Sequence, residues 1–179
     1  MSKHNITLDN KLKKIKLIVL DVDGTLTDGG LILGTDHKEY KRFDVHDGYG
    51  IVLARRYGLK VAVITAKQSD IVTIRMQDLH IDYVYQNVSD KTDVLKEIFY
   101  NTGLIPESIC YVGDELTDIQ AMKMCGVIVA VANARDEVKE IADYITEHSG
   151  GYGAIRETVE MIFQAQGMWQ TILSHMGVS

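Results

Sequence analysis

Apolar residues along this 179-residue chain fall into short continuous runs separated by stripes of helical spacing. The runs Leu17 to Leu20, Val61 to Ile64, Ile81 to Tyr85, Ile109 to Val112 and Val127 to Val131 are rich in branched side chains. That is the pattern of strands buried on both faces. A first stripe, Ile51, Val52, Leu53 and Tyr57, predicts a helix with Asp47 as its N-cap and Gly58 at its end. Ile71, Val72, Met76 and Leu79 share a helical face within residues 69–79, and Val94, Leu95, Ile98 and Phe99 another after Ser89 or Asp90. Further helices are predicted from about Thr117 to Cys125, from Asp136 to Ala142 and from Ala154 to Gln166, with a short segment at Tyr144 to Thr146. Strands alternating with helices predict a parallel sheet with right-handed crossovers.

The alternation is interrupted after Thr27. Turn signals at Asp28-Gly29-Gly30 and Gly34-Thr35-Asp36 flank Leu31-Ile32-Leu33, and residues 39–45 then alternate with Tyr40, Phe43 and Val45 apolar. A β-hairpin is predicted there, projecting from the loop after the first strand and covering or flanking what that loop carries. Residues 1–14 read as an arm or short helix, and residues 167–179 as a tail without a clear period. With no internal repeat and no linker, the expectation is one domain over residues 1–179.

Composition narrows the function classes. The apolar fraction is 46% and the charged fraction 25%, ordinary for a globular protein. A net charge of -6 without any block of lysines or arginines argues against a nucleic-acid partner. Cys110 and Cys125 form no Cys-x-x-Cys motif and read as buried thiols in a reducing compartment. The first residues lack the apolar core of a signal peptide, and no run approaches the ~20 residues needed to span a bilayer. The expectation is a cytoplasmic protein with no membrane partner.

The strand ends carry the chemistry. The first strand delivers Asp21 and Asp23 to its C-terminal edge before Gly24 turns the backbone away. The second stops at Thr65, and the fourth ends in Gly113-Asp114, with Asp118 following. Lys91 opens the helix after the third strand. In an open parallel sheet this edge is where ligands bind. Adjacent acids repel unless a cation sits between them, and hard oxygen ligands suit Mg²⁺. Each group alone has a plain structural reading: a strand-end threonine, a solvated lysine, a first-turn acid favoured by the helix dipole. Together they supply nucleophile, acid, metal ligands and phosphoryl-oxygen donors.

The ordered set Asp-x-Asp-Gly-Thr, strand-Thr, Lys and Gly-Asp-x-x-x-Asp resembles the haloacid dehalogenase superfamily of phosphatases over nearly the whole chain. The resemblance implies an α/β, Rossmann-like three-layer sandwich with a mainly parallel sheet. It makes Asp21 the nucleophile and Asp23 first the general acid, then the general base. Asp21, the Asp23 carbonyl and Asp114 would bind Mg²⁺, with Asp118 assisting through water or by orienting Lys91. Gly24, Thr65 and Lys91 would meet the phosphoryl group. A response-regulator receiver domain shares some of these parts, but there the acceptor Asp precedes the Thr and Lys on a middle strand, and here an acidic site follows Lys91. The short spacings from Leu26 to Thr65 and from Thr65 to Lys91 leave no room for a cap domain, so another element, a neighbouring subunit being the natural candidate, would close the site.

Residues 43–50 and 150–157 (Phe-Asp-Val-His-Asp-Gly-Tyr-Gly and Gly-Gly-Tyr-Gly-Ala-Ile-Arg-Glu) are similar to signatures of the capless sugar-acid phosphatases in that superfamily. This implies a homotetramer with hairpins at its centre, a sugar-acid phosphate substrate and a place in lipopolysaccharide synthesis. Read without the family, residues 150–153 are a flexible loop and Arg156 a surface residue; with it, both become candidates to close over the substrate. Ala66-Lys67 stands where the group commonly shows Gly-Arg, so Lys67 would meet a sugar carboxylate as a point charge and not as a planar fork. Glu115 replaces a common Asp. The implied substrate is 3-deoxy-D-manno-octulosonate 8-phosphate. The alternatives are a nine-carbon, sialic-acid-like 9-phosphate or a non-catalytic homologue serving as an assembly module.

Overall fold

The computed structural model describes residues 6–178; residues 1–5 of the expected arm, and Ser179 of the tail, lie outside the described residues. The chain runs α1 (Ile6–Leu12), β1 (Leu17–Leu20), β2 (Ile32–Leu33), β3 (Glu39–Tyr40), α2 (Val45–Arg56), β4 (Lys60–Ile64), α3 (Asp70–Asp78), β5 (Tyr83–Tyr85) and α4 (Lys91–Thr102). It continues with β6 (Ile109–Gly113), α5 (Ile119–Met122), β7 (Val127–Ala130), α6 (Asp136–Ile141), β8 (Tyr144–Ile145), α7 (Ala154–Ala165) and α8 (Trp169–His175). Six strands form one sheet in the order β5-β4-β1-β6-β7-β8, and every pairing in it is parallel.

The uninterrupted apolar runs end up where their composition requires. All four residues of β1 are buried, as are all five of β6. Leu20 is in register with Val63 on one side and Val112 on the other, so Asp21 emerges at the sheet edge between the ends of β4 and β6. The chain order also reverses here. From β1 the chain steps outward through β4 to β5, then returns across to β6, which makes the β1/β6 boundary the switch point where open α/β sheets bind ligands. Helices α1 and α2 pack on α7, and α4 packs on α5. The amphipathic α7 buries Ile155, Val159, Ile162 and Phe163 in the core.

Three local expectations are corrected. The strand predicted over residues 39–45 is shorter: β3 pairs with β2 through Tyr40 and Glu39 only, Phe43 bridges to Thr27 at the hairpin root, and Val45 already belongs to α2 and is exposed. The N-cap of α2 is Asp44, whose carboxylate accepts the N–H groups of His46 and Asp47. Asp47 lies a turn further in and serves a different helix. The tail is no featureless segment, since α8 returns onto α7 and buries Ile172. Cys110 is buried and Cys125 half-buried, and burial pushes both thiols up, Cys125 to about 12, so neither is a thiolate at neutral pH.

Candidate active site

The loop from Asp21 to Asp28 is clamped by contacts that its sequence makes possible. Gly24 has φ +94°, and a Cβ there would lie 2.1 Å from Asp114 Oδ2, so the Asp114 carboxylate rests against bare backbone. Thr25 donates its hydroxyl to Asp114 Oδ1 at 2.8 Å. Asn133 donates its amide to the Gly24 carbonyl at 3.0 Å and accepts the Gly150 N–H at 2.6 Å. Gly151 donates its N–H to the Thr25 carbonyl at 3.1 Å. The segment 150–153, readable from sequence as a flexible loop, is therefore fastened to the loop that follows β1.

Asp47 explains how that fastening is held. Its carboxylate, almost completely buried, accepts the backbone N–H groups of Gly153, Ile155 and Arg156 at 3.1, 2.9 and 2.9 Å. Gly153, the N-cap residue of α7, has no side chain to cap with, so α2 supplies the cap from elsewhere in the chain. Burial nevertheless drives the Asp47 pKa above its ordinary value, against the lowering effect of those N–H groups. Gly50 lets the two helices meet, since a Cβ there would come 3.0 Å from the Arg156 Cα.

At the sheet edge Lys91 reaches in from the first residue of α4. Its ammonium lies 2.6 Å from Asp21 Oδ1 and 2.6 Å from Asp118 Oδ1. Asp118 is fully buried and also accepts the Tyr111 hydroxyl at 2.8 Å. Asp118 thus stands in contact with Lys91, and Tyr111 is a further partner of it that sequence reading did not find. Burial, then the charge of Asp118, push Asp21 up to about 7 against the pull of Lys91. Asp114 rises to about 6, chiefly through burial. Lys91 remains charged: burial opposes it, but Asp21 and Asp118 together raise its pKa.

Asp21, Asp114 and Asp118 each offer an oxygen within 4.8 Å of the others. Such a crowded carboxylate set, with Asp21 and Asp114 held above their ordinary pKa, fits a divalent cation with a preference for hard oxygen ligands. The side chain of Asp23 lies outside this group. It pairs with Lys41 at the end of the hairpin, which also sits 2.9 Å from Glu39. Lys41 was not found from sequence either, because a lysine in an alternating polar segment looks solvated.

Of the residues expected to meet substrate, Thr65 is buried at the end of β4, and the Gly24 N–H points to the Thr27 hydroxyl at 3.3 Å. Lys67 is exposed and has no ion pair among the described residues. Arg156 is engaged elsewhere in its own chain, paired with Glu160 and placed over the rings of Tyr49 and Trp169.

Comparison with known proteins adds independent findings. The sequence profile of the haloacid dehalogenase-like hydrolases matches residues 59–156. The 3-deoxy-D-manno-octulosonate 8-phosphate phosphatase KdsC of Escherichia coli K12 is 40% identical over 157 residues, covering 88% of this chain and 84% of its own. The crystal structure of the phosphatase of that name from Moraxella catarrhalis, in complex with magnesium ion, phosphate ion and KDO, superposes with a TM-score of 0.93 at 34% identity. It covers 97% of this chain and 99% of its own. The cobalt-bound deoxy-D-mannose-octulosonate 8-phosphate phosphatase of Haemophilus influenzae gives a TM-score of 0.88 at 35% identity, covering 93% and 98%.

Proposed function

Because this chain belongs to the haloacid dehalogenase-like hydrolases, and among them is a phosphomonoester hydrolase, we propose that it is a Mg²⁺-dependent phosphatase of 3-deoxy-D-manno-octulosonate 8-phosphate. The observation that carries the reading is Asp21 standing at the switch point against Lys91, with Asp114 and Asp118 grouped around it. Asp21, Asp114 and the Asp23 carbonyl would hold Mg²⁺, with Asp118 behind them. Bound there, the ion neutralises negative charge on the acids and on the phosphoryl oxygens.

The chain's own groups perform the transfer. An oxygen of Asp21 bonds to phosphorus as the bond from phosphorus to the sugar oxygen breaks, and Asp23 gives its proton to that leaving oxygen. The Thr65 hydroxyl and the Lys91 ammonium hold the transferring oxygens. Water then attacks the aspartyl-phosphate, giving a proton back to Asp23. The phosphorus–Asp21 bond breaks, and both acids return to their starting state.

Support for the eight-carbon substrate comes from relatives aligned over most of their length, one of them bound to KDO. A second reading, a nine-carbon keto-deoxy sugar 9-phosphate, is favoured by one observation. The unpaired, exposed Lys67 follows Ala66 at the edge of the site, available for a sugar carboxylate. With Mg²⁺ present, kcat/KM is expected to favour the eight-carbon ester. Preference for the nine-carbon ester would move the specificity, and near-normal turnover by Asp21→Asn would refute the mechanism.

We place the enzyme in the cytoplasm, in lipopolysaccharide synthesis, as a single-domain protomer of a homotetramer. No helix among the described residues is long and apolar enough to cross a membrane. The hairpin exposes Leu31, Ile32, Leu33 and Tyr40, each more than half exposed, a patch suited to meeting its own copies. In such an assembly Arg156, engaged within its own chain, would act at a neighbour's site. Light scattering should give a tetramer that Ile32→Asp dissociates. A fully active wild-type monomer would overturn the assembly.

A further inference from the structure

We propose that Lys41 is a positioning residue for the reaction: by holding one oxygen of the Asp23 carboxyl group it fixes the orientation from which the protonated acid gives the proton on its other oxygen to the leaving oxygen. The inference rests on the phosphatase reading above and deepens it. Four acids gather at this sheet edge, and three of them are fixed by groups close to the first catalytic loop or on the strand ends. Asp21 and Asp118 share Lys91, and Asp114 is held by Thr25. Asp23 has a different holder. Its Oδ1 meets the Lys41 ammonium, and its Oδ2 takes no hydrogen bond among the described residues. One oxygen is thus anchored while the other has no partner among the described residues, and the Asp23 side chain as a whole stays 30% exposed.

The anchor itself is built as carefully as the acid. The Lys41 side chain is only 2% exposed, an environment hostile to an ammonium unless carboxylates compensate it. Glu39, two residues earlier and the first residue of β3, supplies the second carboxylate at 2.9 Å. Burial opposes charging Lys41, but the contacts with Asp23 and Glu39 outweigh it and raise its pKa. Arg42, the next residue, ties this end of the hairpin to the clamped loop. Its guanidinium donates to the Gly151 carbonyl at 2.9 Å and lies 4.4 Å from the centre of the Tyr152 ring. The hairpin root is thereby fixed to the same backbone that fixes Gly24 and Thr25. A buried lysine on a pinned strand end gives Asp23 little freedom to swing. That restraint is what a proton donor needs to be in line when the phosphorus–oxygen bond breaks.

A lysine that merely fastens the hairpin would show the same contacts, so the test has to read proton donation. Donation matters most for basic leaving groups and little for good ones. The experiment measures kcat/KM of wild type and Lys41→Met, with Mg²⁺, on a series of substituted phenyl phosphates from 4-nitrophenyl to unsubstituted phenyl, and on the eight-carbon sugar-acid phosphate. Lys41→Met is expected to lower kcat/KM for the sugar ester by about 100-fold, the lower end of what general acid–base catalysis supplies. The same protein should lose less than about five-fold on 4-nitrophenyl phosphate, so the dependence of rate on leaving-group basicity steepens. Lys41→Arg should recover part of the loss. A parallel loss across the whole series, or a change confined to KM, would overturn the proposal. Should Lys41→Met fold poorly, Lys41→Gln carries the same test, because it keeps a polar side chain but removes the charge, and an unchanged slope in it refutes the idea. The phenyl series does not depend on the physiological ester. Wild type inactive on the sugar ester but active on the phenyl phosphates would sink the substrate reading and leave the slope to decide on Lys41.

Discussion

Replacing Asp47 with alanine removes the acceptor of three backbone N–H groups in the first turn of α7. The Ile155 N–H is buried, whereas those of Gly153 and Arg156 are partly buried, so water can re-bond some of what is lost. A hydrogen bond to a charged acceptor contributes roughly 1.5–3 kcal/mol, and a lost cap alone costs roughly 0.5–2 kcal/mol. Discounting two of the three bonds for water gives about 3 kcal/mol for Asp47→Ala. For a chain of this size that is a fall of roughly 6–12 °C in Tm. Asp47→Asn keeps a neutral acceptor and should lose about 1 kcal/mol. The assay is thermal unfolding followed by far-UV circular dichroism at one fixed protomer concentration, since assembly would add its own stability. Because α7 begins at the loop that supports Gly24 and Thr25, turnover should fall with stability. An Asp47→Ala protein melting within about 2 °C of wild type, or indistinguishable from Asp47→Asn, would refute the capping argument.

Two other perturbations follow from the site. Gly24→Ala puts a methyl group against the Asp114 carboxylate at a φ of +94° and should weaken Mg²⁺ binding by about 10- to 100-fold in titration calorimetry; unchanged affinity would remove Asp114 from the metal site. The second concerns pH in EDTA. Asp21 and Asp114 stand above their unfolded values at about 7 and about 6, so the folded state holds protons that the unfolded chain has already released. Metal-free stability is therefore greatest below about pH 4 as far as these two groups decide it, and is lost as pH rises through 6 and 7. Added Mg²⁺ should raise Tm more at about pH 8 than at about pH 5.5, and an equal rise at both would refute the coupling.

What could be read from the sequence was whatever depends on neighbours along the chain. The runs Leu17–Leu20 and Ile109–Gly113 became central strands because nothing polar interrupts them, and their ends placed Asp21 and Asp114 at one edge. Turn residues marked the hairpin, and Gly58, with φ +95°, marked the end of α2. What was hidden depends on partners brought close only by folding. Asp47 looks like the cap of its own helix because local spacing cannot show that its partners are Gly153, Ile155 and Arg156. Lys41 follows the same rule, since its burial depends on Asp23 across the hairpin root. Asp118 could be picked out from its place after Gly113-Asp114, but not the Tyr111 hydroxyl that it accepts together with Lys91. The helix α8 is too short for a period to appear, with Ile172 alone buried.

The contact between the two glycine-bearing loops bears on how this enzyme could change over generations. A side chain at Gly150 would place its Cβ 1.8 Å from the Gly24 carbonyl, and one at Gly151 would come 2.5 Å from the Asp28 nitrogen. Any mutation there displaces the loop that carries Asp21 and Asp23, so these positions offer no gradual route to a new substrate. Drift in substrate range is steered to places with room for a larger or differently charged side chain. The exposed turn Ala66, Lys67 and Gln68, beside Thr65, is such a place. An immovable cradle beside an open turn lets phosphoryl transfer stay constant while the ester it acts on is free to vary.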